Sequence, residues 1–221
     1  AVSHIEKEHL VTFGMNLGYN SFTWGAQRIR MNESRLGFNI SWTVLLQTED
    51  YQPSERLAQY DRVIQEGEQL GIYCWMLLSQ RDPRELFPLI GRHPDSAFFL
   101  FCRSDAVNAA SLDGMLPLKH LMPVVRWDEG AGAACTLLRN AQLPYAVCCP
   151  YGQDELPAIL SGDLFCDTQQ LHPLFTVLAA KPDCPTDLRR QAHEAAVLVR
   201  KGQAYQTIPW ELSYDTRNLD E

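Results

Sequence analysis

Basic charge is scarce in this chain and scattered where it occurs. Nineteen Lys and Arg stand against 27 Asp and Glu, a formal net charge of −8, and the basic residues cluster only in short pieces such as Arg28-Ile29-Arg30 and Arg189-Arg190. Binding nucleic acid requires a concentrated cationic face that releases phosphate counterions, so no nucleic-acid partner is expected. Long apolar runs are missing too. None approaches the roughly 18 to 20 uncharged residues that cross a bilayer, so no membrane insertion is expected. The opening Ala1-Val2-Ser3-His4-Ile5-Glu6-Lys7-Glu8 lacks the basic-then-apolar layout of an export signal, so the chain is expected in the cytoplasm.

No Cys-x-x-Cys pair occurs among the seven cysteines, and Cys148-Cys149, being adjacent, would point to opposite faces of a strand. They read as buried, reduced thiols. The six histidines show no ligand spacing, and neither a Gly-x-Ser-x-Gly elbow, a His-Glu-x-x-His pair nor a phosphate loop with Gly-Lys-Ser/Thr is present. No metal or cofactor is implied.

What is present is a folding pattern. At 221 residues, 46% hydrophobic and 21% charged, the chain can bury a large core as one domain spanning 1–221. One phrase recurs: Leu17-Gly18-Tyr19-Asn20, Leu36-Gly37-Phe38-Asn39 and Leu70-Gly71-Ile72-Tyr73 each close an amphipathic stretch and open a β-rich run. Glycine takes the left-handed conformation that ends a helix without steric cost, so each phrase predicts a helix-to-strand joint. The spacing predicts helices over 4–17, 26–36, 53–70, 132–140 and 187–201. Strands are predicted over 19–24, 38–47, 72–79, 97–103, 121–127, 145–149, 163–168, 174–180 and 204–210. Several of these strands are apolar on both faces, as in covered parallel sheets. Eight or nine strands alternating with helices predict a (β/α)8-like (TIM) barrel, incomplete or permuted because the chain opens on a helix. The alternative is an open doubly wound sheet.

The segments Met15-Asn16-Leu17-Gly18-Tyr19-Asn20-Ser21-Phe22-Thr23-Trp24 and Tyr60–Tyr73, with Arg189–Ala196 running through Lys201-Gly202 into Tyr205–Glu211, resemble the two ends of glycoside-hydrolase-type barrels. The resemblance implies a carbohydrate-active barrel, a glycoside hydrolase working through paired carboxylates on a saccharide. Such barrels place an acid/base Glu just after the fourth strand, where this chain reads Cys102-Arg103-Ser104-Asp105. That departure motivates the alternative, a non-catalytic barrel binding a small-molecule ligand or a protein partner.

In a barrel the working face is built from the C-terminal ends of the strands. Asp105 and Glu211 follow well-defined strands and form the candidate catalytic pair, with Asp167 in reserve. Trp24, Arg103, Arg126 and Trp127 are the candidate ligand-binding residues, the tryptophans as platforms and the arginines because a guanidinium at a strand end requires an anion. Gln47, Glu49, Asp50, Gln80, Asp82, Asp128, Glu129, Tyr151, Asp154, Glu155 and Lys181 complete the expected rim. Separately, Gly130-Ala131-Gly132-Ala133-Ala134-Cys135 opens a helix after a strand, with Glu155 beyond it, in the manner of a dinucleotide or phosphate loop, but close packing of small residues against the sheet is the favoured reading.

Overall fold

The structure, a computed structural model, describes residues 2–48, 53–79 and 81–216. Glu49, Asp50, Gln80 and the side chains of Pro53–Glu55 lie outside the described residues. Seven strands, β1 (Thr43–Gln47), β2 (Cys74–Leu78), β3 (Ala97–Cys102), β4 (Leu121–Arg126), β5 (Ala146–Tyr151), β6 (Phe175–Ala180) and β7 (Ile208–Glu211), form a single parallel sheet in sequential order. The sheet curls into an open half-barrel, and β1 does not pair with β7. The (β/α)8-like barrel expected from the sequence is therefore not formed.

Two strands of the expected count fail for identifiable reasons. Residues 19–24 are helical: α1 (Lys7–Gly14), a π-helical segment (Met15–Gly25) and α2 (Ala26–Leu36) run on without a break. Gly37 and Gly71 do take positive φ, 77° and 110°, and end their helices, but Gly18 does not. In the π-helical segment the backbone widens to i→i−5 bonding, with the Ala26 N–H reaching Ser21 O. The buried positions register the change: His9, Phe13, Asn16, Ser21, Gly25 and Ile29 keep one face inward only because the step from Asn16 to Ser21 is five residues. Residues 163–168 also prove helical, as part of α8 (Asp163–Gln169).

The long helical stretch lies across the N-terminal ends of the strands. Glu6 N donates to Gln142 O at 2.9 Å, Asn16 Nδ2 to Pro94 O and Ser96 O at 2.7 and 2.9 Å, and Phe13 meets Phe99 edge-on at 5.3 Å. It floors the half-barrel at that end.

The remaining helices are α3 (Pro53–Leu70), α4 (Phe87–Gly91), α5 (Ala109–Met115), α6 (Ala131–Asn140), α7 (Leu156–Ser161), α8, α9 (Thr186–Gly202) and α10 (Leu212–Asp215). Right-handed crossovers between sequential parallel strands put their helices on one side of the sheet. The core divides accordingly. One cluster joins the helices to Trp75, Leu77, Phe98, Leu100, Val125, Val147, Tyr151 and Leu178 on the convex side. The other occupies the concave side, with Met76, Phe99, Met122, Val124, Cys148, Val177 and Trp210. Alternation along each strand assigns the two sets. The seam between β1 and β7 holds aromatic side chains: Trp42 lies 6.3 Å from Trp210 and 5.1 Å from Phe22, and its Nε1 donates to Thr216 O at 2.9 Å.

Candidate functional site

In an open α/β sheet, ligands approach the carboxyl ends of the strands. The strand register identifies what the concave side presents there. Cys102 pairs with Val125, which sets Arg103 beside Arg126, and Arg126 pairs with Cys148, Cys148 with Val177, and Val177 with Trp210. A single concave row therefore runs from Arg103 and Arg126 at the rim into the buried core at Cys148, Val177 and Trp210. Half-buried Phe101, Pro150 and Ala179 flank it, and on β1 Leu45 is 43% exposed.

The charges along this rim differ in how they are satisfied. Arg103 Nε donates to Asp105 Oδ1 at 2.9 Å, and its Nη2 closes a second contact to the same carboxylate. The guanidinium holds the Asp105 carboxyl below the usual carboxylate range. Lys181 Nζ donates to Glu155 Oε1 at 2.5 Å, while Gly152 N donates to Glu155 Oε2 at 2.8 Å. Asp128 Oδ1 accepts from Ser104 Oγ at 2.5 Å and from Gly130 N at 3.0 Å. Arg126 is exposed, and among the described residues its guanidinium makes no hydrogen bond or ion pair. Its positive charge acts on the Cys148 thiol, which burial nevertheless pushes up to about 12.

The expected catalytic pair is not brought together. Asp105 stands exposed after β3, committed to Arg103. Glu211 is fully buried on the convex side, where Oε1 accepts from the Tyr151 hydroxyl and Oε2 from Tyr214 N, each at 2.8 Å. Since Trp210 faces the concave side, its neighbour Glu211 must face the helices. Asp167 sits exposed on α8, within the helical layer rather than at a strand end.

The ligand-binding candidates divide. Arg103 and Arg126 share the concave row. Trp127 is half-buried against the helix-side core, its backbone N–H bound to Cys148 O at 2.7 Å. Trp24 lies in the π-helical segment at the opposite end of the strands, with the Arg28 guanidinium 5.6 Å over its ring.

The glycine loop is closed by its own chain. Asp128 takes the Gly130 N–H, and a Cβ at Gly130 would sit 2.5 Å from Ser104 Oγ, so the glycine serves a close approach between the ends of β3 and β4. Glu155 belongs to the separate Lys181 clamp. Sequence reasoning overlooked Ser104 and took Cys148 only as packing. Position-by-position register was the missing signal, and it requires knowing which residue of each strand pairs with which.

No protein-family model matches the chain, and no curated protein matches it in sequence. Among solved structures the fold is similar to that of SuiB from Streptococcus suis, with a TM-score of 0.58 and 9% sequence identity over 85% of this chain and 53% of that one. The chain thus spans about half the length of that protein, and the likeness is one of fold. The glycoside-hydrolase resemblance gains no support from these comparisons, and with the barrel unclosed the carbohydrate reading loses its structural premise.

Proposed function

We propose that this protein is a non-catalytic binding domain that takes a small-molecule ligand on the concave face of its half-barrel, at the carboxyl ends of β3 to β6. The observation that supports this reading is the concave row itself. Half-buried Phe101, Pro150 and Ala179 lie near the carboxyl end of the concave face, where the exposed Arg126 guanidinium makes no hydrogen bond or ion pair among the described residues. Apolar surface with a few placed polar groups is the usual composition of a small-molecule site. Paired-carboxylate chemistry finds no geometry, because Asp105 is tied up in solvent and Glu211 is closed behind the sheet.

The test is a titration of isotope-labelled protein with mixtures of small apolar acids, alcohols and amines, followed through backbone amide resonances. Shifts are expected at Phe101, Arg126, Cys148, Ala179 and their strand neighbours, and Ala179→Trp, which adds bulk beside Pro150 on that face, is expected to abolish them. Shifts confined to the helical layer, or none across the mixtures, would overturn the reading.

A further inference from the structure

We propose that the outer face of the helical floor pairs with the same face of a second copy of this chain, antiparallel about a two-fold axis. The face is a long uncharged stripe. Along α1, the π-helical segment and α2, the residues Val11, Met15, Tyr19, Thr23, Gln27 and Met31 follow every four positions and are all exposed, Tyr19 at 55% and Met31 at 69%. No Asp, Glu, Lys or Arg occurs between Glu8 and Arg28. Half of the 16 large apolar side chains exposed among the described residues fall within 11–38, while the other eight are scattered over the rest of the chain. Single exposed apolar residues are ordinary, but a contiguous band of them marks an interaction surface.

The backbone keeps the stripe straight. A step of four residues in an α-helix overshoots a full turn by about 40°, which winds a four-residue repeat around the helix. In the π-helical segment, where a turn takes more than four residues, the same step falls short and reverses the drift. The band therefore runs roughly 30 Å along one side of the helical stretch. Such a stripe is self-complementary. Antiparallel pairing about a point between Tyr19 and Thr23 sets Val11 against Met31, Met15 against Gln27 and Tyr19 against Thr23 of the second copy, with no charge along the line. Covered in full together with the flanking Phe22 and Trp24, the two faces bury roughly 1,400 Å², within the range of stable protein interfaces. A lipid surface fits less well. A helix lying on a membrane keeps a charged face in water, and here the opposite face, with Phe13, Asn16, Gly25 and Ile29, is buried in the fold.

The experiment is sedimentation velocity on the wild-type chain and on the variants Met15→Glu and Gln27→Lys, each alone and the two mixed. The wild type is expected to be mostly dimeric at about 100 µM and to dissociate toward about 1 µM. Each substitution alone places a charge in the uncharged contact and is expected to weaken the dimer about tenfold or more, with the circular dichroism of the folded chain retained. Mixed, the two variants oppose a carboxylate to an ammonium group in this register, and their heterodimer is expected to form about tenfold more tightly than either variant alone. A wild type that stays monomeric throughout this range overturns the inference, and sedimentation of that monomer with phosphatidylcholine vesicles would give the face to lipid instead. Dimers indifferent to both substitutions overturn it as well. A mixture no tighter than its components overturns the antiparallel register.

Discussion

The Tyr151 hydroxyl donates to Glu211 Oε1 across 2.8 Å, joining the ends of β5 and β7 behind the sheet. Burial and the neighbouring carboxyl both raise the Tyr151 phenol above its ordinary pKa, so the hydroxyl keeps its proton and remains a donor. Tyr214 N satisfies the other oxygen, and Asp215, bound through both oxygens to Arg200, accepts from Glu211 N at 2.8 Å. Glu211 therefore fastens β7 and α10 to the rest of the sheet. Glu211→Ala leaves the buried Tyr151 hydroxyl without its acceptor and is expected to cost about 2 kcal/mol or more, read from the urea midpoint. Glu211→Gln, which retains a carbonyl acceptor, is expected to cost less. Equal midpoints for wild type and the alanine variant would show that the bond stabilises nothing.

The seam predicts a local effect. Trp42 packs on Phe22 and Trp210 and holds the chain after α10 through Thr216 O. Trp42→Phe keeps the ring and loses the donor, at an expected cost of about 1 kcal/mol. Trp42→Ala loses both, at about 2–4 kcal/mol, toward the lower end because the side chain is half-buried. Hydrogen exchange is expected to accelerate at 212–216 in both variants, with β3 to β5 unchanged. Uniform acceleration across the sheet would contradict a seam-specific role.

His93 gives a prediction in pH. Its Nδ1 lies 3.2 Å from Glu68 Oε2 and its Nε2 3.0 Å from Asp61 Oδ1, clamping the turn before β3 to α3. Burial pulls the imidazole pKa down, but the Glu68 and Asp61 carboxylates push it up and prevail, so the folded value is raised. An unfolded histidine titrates near about 6.5. The folded state thus holds the proton more tightly, and the stabilisation is complete below that pH and is lost as pH rises through the higher folded value. His9 and His120, lowered chiefly by burial, act in the opposite sense and are present in both proteins. The melting-temperature gap between wild type and His93→Gln is therefore expected to be wide near pH ~6 and to narrow toward pH ~9. A gap that grows with pH contradicts this assignment.

Much of the fold is legible because local and tertiary signals agree. The runs that became β2 to β6 are apolar on both faces and sit between two apolar layers, and α3 and α9 carry clear amphipathic spacing. Legibility ends where identical words have different surroundings. Leu17-Gly18-Tyr19-Asn20 and Leu36-Gly37-Phe38-Asn39 read alike, yet only Gly37 turns left-handed. Around Gly18, Asn16 and Asn20 bond to Pro94 O, Ser96 O and Asp95 O, backbone groups some 75 to 80 residues away that no local pattern contains. The segment 163–168 is short and partly apolar, and such runs do not distinguish strand from helix. At the site, the position of Arg126 on the rim follows from reading the strand end. The side that Glu211 faces does not, because on a four-residue strand a one-residue shift in pairing would exchange Trp210 and Glu211 between faces.

Glycine substitutions test the continuous helix directly. At Gly18 an added Cβ meets nothing within 4 Å, and the backbone is not left-handed there. Gly18→Ala should therefore stabilise the protein by about 0.5–1 kcal/mol, as alanine does in a helix interior. Had Gly18 closed a helix before a strand, as its local sequence suggests, the same substitution would destabilise, so the sign alone decides between the two. Gly25, in the same helical stretch, is the control. Its Cβ would collide with Gly71 O and come within 2.6 Å of Asn20 O, where the helical stretch passes the turn that ends α3 with no room for a side chain. Gly25→Ala is expected to cost about 1–3 kcal/mol. Opposite shifts in the urea midpoint for the two variants are the expected result, and a loss of stability in Gly18→Ala would return residues 19–24 to the extended conformation that the sequence alone predicts.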